Sequence, residues 1–143
     1  MTLALIGFTG SRRWTHVQLL ENTLLNTWHD ALQDGYTGIE LIQGCAEGAD
    51  TLCRQWGIRN GIPVRDRPAD WDGPCGPECP PGHRRRNRRG TEYCPLAGHR
   101  RNQQMVDEGP LLFVAAQVQG STGTADCMRR AKAAGIPVHL ITA

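Results

Sequence analysis

"IQGCAEGAD", residues Ile42 to Asp50, joins an apolar run to a helical pattern through a short turn. It begins within the apolar run IELI and changes within a few residues into a turn of glycines, small residues and carboxylates. A helical pattern with Leu52, Cys53 and Trp56 follows and ends near Gly61. This order is typical of a buried strand that leads through a tight turn into a helix. Small residues at such a turn let another group approach the backbone closely.

A similar unit precedes this stretch. The run TLALIGF (2–8) predicts a strand buried on both faces of a sheet. Apolar residues then recur at helical spacing from Val17 to Leu32, and Gly35 ends the pattern. Thr15 and Gln18 have the spacing of a capping box at the start of that helix.

The rest of the chain continues the alternation. The runs IPVRD (62–66), LLFVAA (111–116) and IPVHLI (136–141) predict three further strands, and helical patterns end near Gly109 and Gly135. Strands that alternate with helices predict an α/β fold, a doubly wound parallel sheet of about five strands with right-handed crossovers.

The totals exclude several classes of protein. A length of 143 residues suits one domain, 1–143, and a net charge of +2 excludes a polycation drawn to nucleic acid or membrane. No apolar run approaches the roughly 18 residues that a membrane span requires. The N-terminal MTLALIGFTG lacks the basic region and cleavage site of a signal peptide. We therefore expect a cytoplasmic protein.

Residues 68–99 interrupt the alternation with prolines and arginines, and we interpret them as an insertion. Within it Cys75, Cys79, His83 and Cys94 follow the spacing C-x3-C-x3-H-x10-C. Three thiolates and an imidazole complete the tetrahedral shell of a structural zinc ion, which would hold a loop without an apolar core.

Other interpretations of the cysteines stay open. His99 is the alternative nitrogen ligand, and the alternative to zinc is a reduced loop whose cysteines cluster without a metal. A disulfide framework does not fit six cysteines in a reducing compartment. We expect the remaining three, Cys45, Cys53 and Cys127, to be small core residues.

Seven of the fifteen arginines lie between Arg84 and Arg101. Such a run is often a solvated face, but it can also follow a nucleic-acid backbone or neutralise a phosphate-rich small ligand. Tyr93 is the aromatic residue near it, which gives little support for base stacking. We therefore rank a small anionic ligand above a nucleic acid.

Three turns have the composition of a phosphate-binding crevice. GFTGSRR, GCAEGAD and QGSTGT each follow a predicted strand and precede a predicted helix. In parallel sheets ligands bind beyond the carboxyl ends of the strands, where backbone amides and the positive helix end attract an anion. A glycine in such a turn can also serve only a positive φ. Arg12 would grip a phosphate or carboxylate.

Carboxylates near these turns are candidates for sugar binding or catalysis. Glu47 and Asp50 lie in the second turn, where they would bind ribose hydroxyls or assist chemistry at a sugar carbon. Asp126 follows the third turn. For Asp50 and Asp126 the alternative is a helix cap.

At this point the motifs resemble a known group. GFTGSRRW, IQGCAEGADTLCRQWG, RRNQQM and GSTGTADCMRRAKAAGIPV are similar to motifs of the SLOG superfamily, and most of all to its YpsA-related branch, found in bacteria and their phages. The superfamily includes the DNA-processing protein A family and the LONELY GUY phosphoribohydrolases. The resemblance implies a Rossmann-like fold that binds a nucleotide or nucleotide-derived molecule.

The resemblance also implies which residues bind. They come from the three turns and from the RN pair before the fourth long strand: Gly10, Ser11, Arg12, Gly44, Ala46, Glu47, Gly48, Asp50, Arg101, Asn102, Gly120, Ser121, Thr122, Gly123 and Thr124. Superfamily relatives often assemble, so a homo-oligomer is a further expectation.

One departure bears on activity. The phosphoribohydrolases share PGGxGTxxE, whose glutamate acts in cleavage of the N-glycosidic bond, whereas this chain has Cys127 at that place. A thiol cannot stabilise an oxocarbenium ion as a carboxylate does, so Glu47, Asp50 or Asp126 would have to replace it. We therefore predict a protein that senses or sequesters a nucleotide-derived molecule, such as a signalling nucleotide. The alternatives are a nucleotide N-glycoside or phosphate hydrolase and a nucleic-acid-binding module built on the zinc loop.

Overall fold

The computed structural model describes residues 2–143, which form four helices and seven strands. In chain order these are β1 Ala4–Gly10, α1 Val17–Gln33, β2 Ile39–Gln43, α2 Ala49–Arg59, β3 Val64–Asp66, β4 Arg85–Arg86, β5 Glu92–Tyr93, α3 Ala97–Asp107, β6 Leu112–Gln117, α4 Thr122–Ala133 and β7 Val138–Thr142.

Five strands form one parallel sheet in the order β3-β2-β1-β6-β7. The chain first adds strands on one side of β1 and then crosses to the other side with β6. This reversal is the switch point of a doubly wound sheet, and ligand sites of such sheets lie there. The predicted α/β fold with five parallel strands is confirmed.

Helices cover both faces of the sheet. On one face α1 and α2 pack over the fully buried Phe8, and Trp28 meets Trp56 edge to face at 6.0 Å. On the other face α3 and α4 pack over Phe113, which is also fully buried. Strands buried on both faces explain why the sequence shows continuous apolar runs and not alternation.

The start of α1 differs from the prediction. His16 is the N-cap, and its Nδ1 accepts a hydrogen bond from the Leu19 amide at 3.2 Å. The predicted capping box of Thr15 and Gln18 is therefore wrong. An unprotonated imidazole nitrogen accepts a hydrogen bond as a serine or aspartate oxygen would.

The insertion contains a short antiparallel hairpin that was not predicted. Arg85 pairs with Tyr93 and Arg86 with Glu92. Of the three cysteines expected in the core, Cys53 and Cys127 are fully buried, but Cys45 is exposed with φ of 60°. That expectation was wrong for Cys45, because the chain turns outward directly after β2.

Within residues 2–143, no helix has both the length and the apolar character that a bilayer crossing requires.

Candidate functional site

The turns after β1, β2 and β6 meet at the carboxyl edge of the sheet. They enclose a cavity of about 350 Å³, which lies in the size range of small-molecule sites. Its wall includes most of the predicted ligand residues: Gly10, Ser11, Arg12, Ala46, Asp50, Arg101, Asn102, Gly120, Ser121, Thr122, Gly123 and Thr124. The remaining three lie elsewhere. Gly44 and Glu47 line a smaller neighbouring groove, and Gly48 lines neither space.

Ser11 holds the turns together. Its amide donates to the Ala116 carbonyl at 2.8 Å, its hydroxyl accepts from the Val118 amide at 2.8 Å, and its carbonyl accepts from the Ala49 amide at 3.2 Å. These bonds tie the first turn to the end of β6 and to the start of α2. A side chain at Gly48, which has φ of 75°, would collide with the Arg12 backbone, so the first two turns pack directly against each other.

The third turn presents free amides to the cavity. Helix α4 begins at Thr122, and its N-cap residue Ser121 makes no capping hydrogen bond to the backbone. The Ser121 hydroxyl bonds instead to Thr124 Oγ1 at 2.9 Å. The first amides of a helix have no partner within the helix, and the helix dipole adds about half a positive charge. This end of the cavity is therefore suited to an anion.

The second turn differs because its own side chains occupy two of its amides. The Cys45 amide donates to Gln43 Oε1 at 2.6 Å, and the Ala46 amide donates to Asp50 Oδ2 at 3.2 Å. Gln43 is fully buried and also donates to Asp66 at 2.6 Å. This turn consequently presents a carboxylate to the cavity.

Asp50 is the unusual carboxylate of the site. It is only 4% exposed, and its Oδ1 is buried without a hydrogen-bond partner among the described residues. Burial raises the pKa of Asp50 to about 6, although the Ala46 amide and the charges of Arg101 and Arg12 act in the opposite direction. The Gly44 amide lies close enough to the carboxylate to lower its pKa as well, but it does not have the geometry of a hydrogen bond to Oδ1.

Helix α3 links the second and third turns. Arg101 donates to the Gly44 carbonyl through its guanidinium, and its Nε donates to Asn102 Oδ1 at 3.0 Å. The Asn102 amide group donates to the Gly123 carbonyl at 3.2 Å and to Asp126 Oδ2 at 3.0 Å. The predicted RN pair thus lines the cavity and positions the turns.

The other predicted catalytic carboxylates lie outside the cavity wall. Asp126 accepts hydrogen bonds from Arg129 and Arg130 at 2.9 Å each. Burial disfavours its charge, but Arg130 and Asn102 outweigh burial and lower its pKa. Glu47 is exposed. Cys127, at the place of the hydrolase glutamate, has its pKa raised to about 12 by burial and is therefore a neutral thiol.

The predicted metal ligands converge. The ligand atoms of Cys75, Cys79, His83 and Cys94 all lie within 4.8 Å of one another. The sulfurs of Cys79 and Cys94 are 3.6 Å apart, and His83 Nε2 lies 3.5 Å from the Cys94 sulfur and 3.0 Å from the Cys75 sulfur. Zinc bonds of about 2.0–2.3 Å place tetrahedral ligands roughly 3.5–3.8 Å apart, so this group fits a metal ion.

Two arginines face these sulfurs. Arg100 donates to Cys79 at 3.3 Å and to Cys94 at 3.4 Å, and Arg84 donates to Cys75 at 3.6 Å. Burial opposes ionisation of Cys94, but the bonds from Arg100 and the Leu96 amide lower its pKa to about 6. His99 is not in the group; it lines the cavity, and its Nδ1 lies 4.0 Å from Asp126. The geometry favours His83 as the nitrogen ligand.

The rest of the basic run lies outside the cavity wall. Arg85, Arg86, Arg88 and Arg89 are exposed on or beside the hairpin and do not line the cavity. The nucleic-acid interpretation of this run stays a prediction, as does the homo-oligomer.

Sequence reasoning missed several wall residues, chiefly Thr9, Arg13, Trp71, Pro95, Gly98, His99 and Met105. Gly98 and His99 lie one turn before the RN pair on the same helix face, and helical spacing would have found them. Trp71 and Pro95 lie in the insertion, which carries no periodic signal. The insertion therefore forms part of the wall.

Comparisons with known proteins show which family this chain belongs to. Residues 5–73 match the model of the YspA, cpYpsA-related SLOG family, a range that contains the first two turns and ends before the cysteine cluster. The chain is also 32% identical over 136 residues to the Gene 61 protein of Mycobacterium phage D29, an alignment that covers 91% of this chain and 90% of that protein. The predicted superfamily membership is confirmed, and this chain belongs to the YspA, cpYpsA-related SLOG family.

Proposed function

We propose that this protein binds a nucleotide or nucleotide-derived small molecule in the cavity between the three turns and acts as a sensor or sequestering protein. The observation that carries the proposal is the uncapped start of α4 in the wall of a cavity that also contains Arg12 and Arg101. Membership of a SLOG family agrees with a nucleotide-related ligand.

The phosphate of the ligand belongs at the α4 end of the cavity. Free amides and the helix dipole attract an anion there, and backbone donors need no particular side chain. Arg13 fixes this turn by donating to the Gln119 carbonyl at 2.8 Å. Trp71, on the insertion side of the wall, offers an aromatic surface to a base.

Gly123 provides a sharp test of the phosphate position. The space around its missing side chain is open, so a substitution meets no steric obstacle. Gly123→Asp puts a negative charge at the start of α4, which favours the helix but competes with a phosphate. We expect titration calorimetry with a panel of nucleotides to show affinity lowered at least about tenfold, a loss of about 1.4 kcal/mol.

Two controls accompany this variant. Gly123→Asn has nearly the same shape without the charge, and Gly123→Ala reports the effect of any side chain; both should stay within about threefold of the unmodified protein. Equal affinity for the Asp and Asn variants would place the anion elsewhere and contradict the proposal.

Binding is favoured over hydrolysis by the shortage of carboxylates. Glycosidases generally use a pair of carboxyl groups around the scissile bond. In this cavity wall Asp50 is the carboxylate, while Asp126 is held by arginines and Cys127 is a buried thiol.

A nucleotide hydrolase remains the second candidate because of one observation. Asp50 has a pKa of about 6 owing to its burial, which is close to the value that acid–base catalysis requires near neutral pH. Incubation with a nucleotide panel, followed by chromatography for released base or phosphate, tests it. Turnover that Asp50→Asn abolishes while binding persists would favour the hydrolase.

We further propose that the metal is a structural zinc ion. Four protein ligands fill a tetrahedral shell, so no position is left for a reactive water. Arg84 and Arg100 would balance the excess negative charge of three thiolates around a divalent ion. Native mass spectrometry before and after denaturation would report one zinc per chain, and it would also report any co-purified nucleotide and the size of an oligomer.

A further inference from the structure

One buried oxygen in the cavity lacks a partner. Among residues 2–143, Oδ1 of Asp50 is the buried side-chain polar atom without a hydrogen bond, while Oδ2 of the same carboxylate accepts from the Ala46 amide at 3.2 Å. Folded proteins rarely leave such atoms unsatisfied, because the lost hydration is costly. The side chain forms part of the cavity wall, so a ligand can supply the missing donor.

The chemistry of this donor is restricted. A carboxylate only accepts hydrogen bonds, and it prefers neutral hydroxyl or amino donors here because Arg101 and Arg12 disfavour a bound cation. A phosphate is also excluded from this oxygen by charge repulsion. The anion-binding start of α4 and the Asp50 carboxylate must therefore contact different parts of the ligand.

The sheet order separates these two parts. Asp50 follows β2, the third turn follows β6, and β1 lies between these strands. Two strand spacings amount to roughly 10 Å. A sugar phosphate can span this distance with its phosphate at the start of α4 and its hydroxyl groups toward α2.

We infer that Asp50 accepts a hydrogen bond from a ribose hydroxyl, so that the protein selects ribonucleotide ligands over those whose sugar lacks hydroxyl groups. This inference rests on the proposed function, and it names the sugar class and the residue that discriminates. A site built to bind a hydroxyl rejects an analogue without it, since the buried acceptor is then left unpaired.

Calorimetric titration of nucleoside monophosphates and diphosphates against their 2′,3′-dideoxy counterparts tests the inference. The unmodified protein should bind the ribose forms at least about tenfold more tightly, a difference of about 1.4 kcal/mol. In Asp50→Asn the amide oxygen should take the bond from Ala46 and the amide nitrogen should face the ligand. A donor then replaces the acceptor, so ribose affinity should fall about tenfold and dideoxy affinity should stay within about threefold.

Asp30→Asn is the matched control, because it makes the same change at an exposed carboxylate of α1 that lines neither the cavity nor the neighbouring groove. It should keep the full preference for ribose. Thermal unfolding of each variant checks the fold, and Asp50→Ala provides a second variant if the Asn protein is unstable.

The outcomes separate the two proposals. Equal affinity for ribose and dideoxy ligands would overturn this inference while nucleotide binding stands. A fall of both affinities in Asp50→Asn would then indicate that a base amino group, and not a sugar hydroxyl, meets Asp50. Absence of binding by any nucleotide would overturn both. Loss of the ribose preference in Asp50→Asn but not in Asp30→Asn supports the inference.

Discussion

Among single residues of the site, Asp50 is the one whose burial is energetically unfavourable. The carboxylate is buried with one oxygen unpaired, and burial raises its pKa to about 6 from an ordinary value of 3.8. A carboxyl with a raised pKa binds its proton more tightly in the folded protein than in the unfolded chain. Its ionisation therefore weakens the fold as the pH rises.

We predict that Asp50→Asn stabilises the protein without ligand at neutral pH. The contribution of the protonated Asp50 carboxyl to the free energy of unfolding is fully present below pH about 4 and is lost as the pH rises through about 6. The loss is at most about 3 kcal/mol. Thermal unfolding of both proteins from pH 4 to pH 8 should show a gap in Tm that opens across this range and closes at pH 4. A gap that is constant with pH would show that the substitution acts through shape alone.

The same ionisation predicts how ligand binding varies with pH. The charged carboxylate is the stronger acceptor for a hydroxyl group. Affinity for a ribonucleotide should therefore increase between pH 5 and pH 7, and affinity for a dideoxy ligand should increase less. Asp50→Asn should remove this difference between the two ligand types. Titrations at three pH values with both ligand types would measure it, and parallel curves for the two types would contradict the expectation.

Among the elements, α3 connects the predicted metal ligands to the cavity. Cys94 lies just before the helix, and its amide donates to the Trp71 carbonyl at 2.8 Å. Arg100 contacts the sulfurs, while the next residue, Arg101, reaches the Gly44 carbonyl. The position of the cavity wall thus depends on how firmly the insertion is held.

We predict that loss of the metal weakens ligand binding from a distance. Cys79→Ser removes one predicted thiolate ligand that lies outside the cavity wall, so the zinc content should fall. Nucleotide affinity should decrease by about threefold or more, because Trp71 and Pro95 of the wall lose the support of the metal-bound insertion. Elemental analysis and calorimetry on the same samples would measure both. Cys45→Ser is the control, since this exposed thiol is not one of the predicted metal ligands. Unchanged nucleotide affinity in zinc-free Cys79→Ser would show that the metal site does not support the cavity.

A second prediction concerns the start of α1. His16→Ala removes the side chain that accepts a hydrogen bond from the Leu19 amide, and it should lower the free energy of unfolding by about 1 kcal/mol. His16→Ser should retain most of the original stability because serine is a strong N-cap. Chemical denaturation at neutral pH would compare the three proteins. Identical midpoints for all of them would mean that water satisfies this amide equally well.

At the scale of the whole molecule, three turns from different parts of the chain form one cavity because β2, β1 and β6 are neighbours in the sheet. A ligand that contacts all three joins segments far apart in sequence and should stabilise the entire fold. At a concentration of one hundred times Kd we expect about 2.7 kcal/mol and a rise in Tm of roughly 8 °C. At the same ligand concentration Gly123→Asp should reduce this rise to about half or less in a thermal shift assay, while its Tm without ligand stays unchanged or increases.

Much of this architecture could be predicted from the sequence, because parallel strands buried on both faces leave continuous apolar runs and their turns leave clusters of glycine. The convergence of Cys75, Cys79, His83 and Cys94 was predictable from spacing alone. The hairpin of Arg85 and Tyr93 was not, since strands of two residues lie below any periodic signal. Nor could the sequence reveal that Asp50 keeps one oxygen unpaired, because this depends on which amides the folded turns leave within reach.

The tip of the hairpin offers a practical site for chemical labelling. Its turn is closed by its own bonds, with Asn87 Oδ1 accepting from the amides of Arg89 at 2.9 Å and Thr91 at 3.1 Å. These residues are exposed and belong neither to the cavity wall nor to the predicted metal ligands. A fluorophore attached at Arg88 should therefore leave the fold intact and report movements of the insertion on ligand binding or on metal removal.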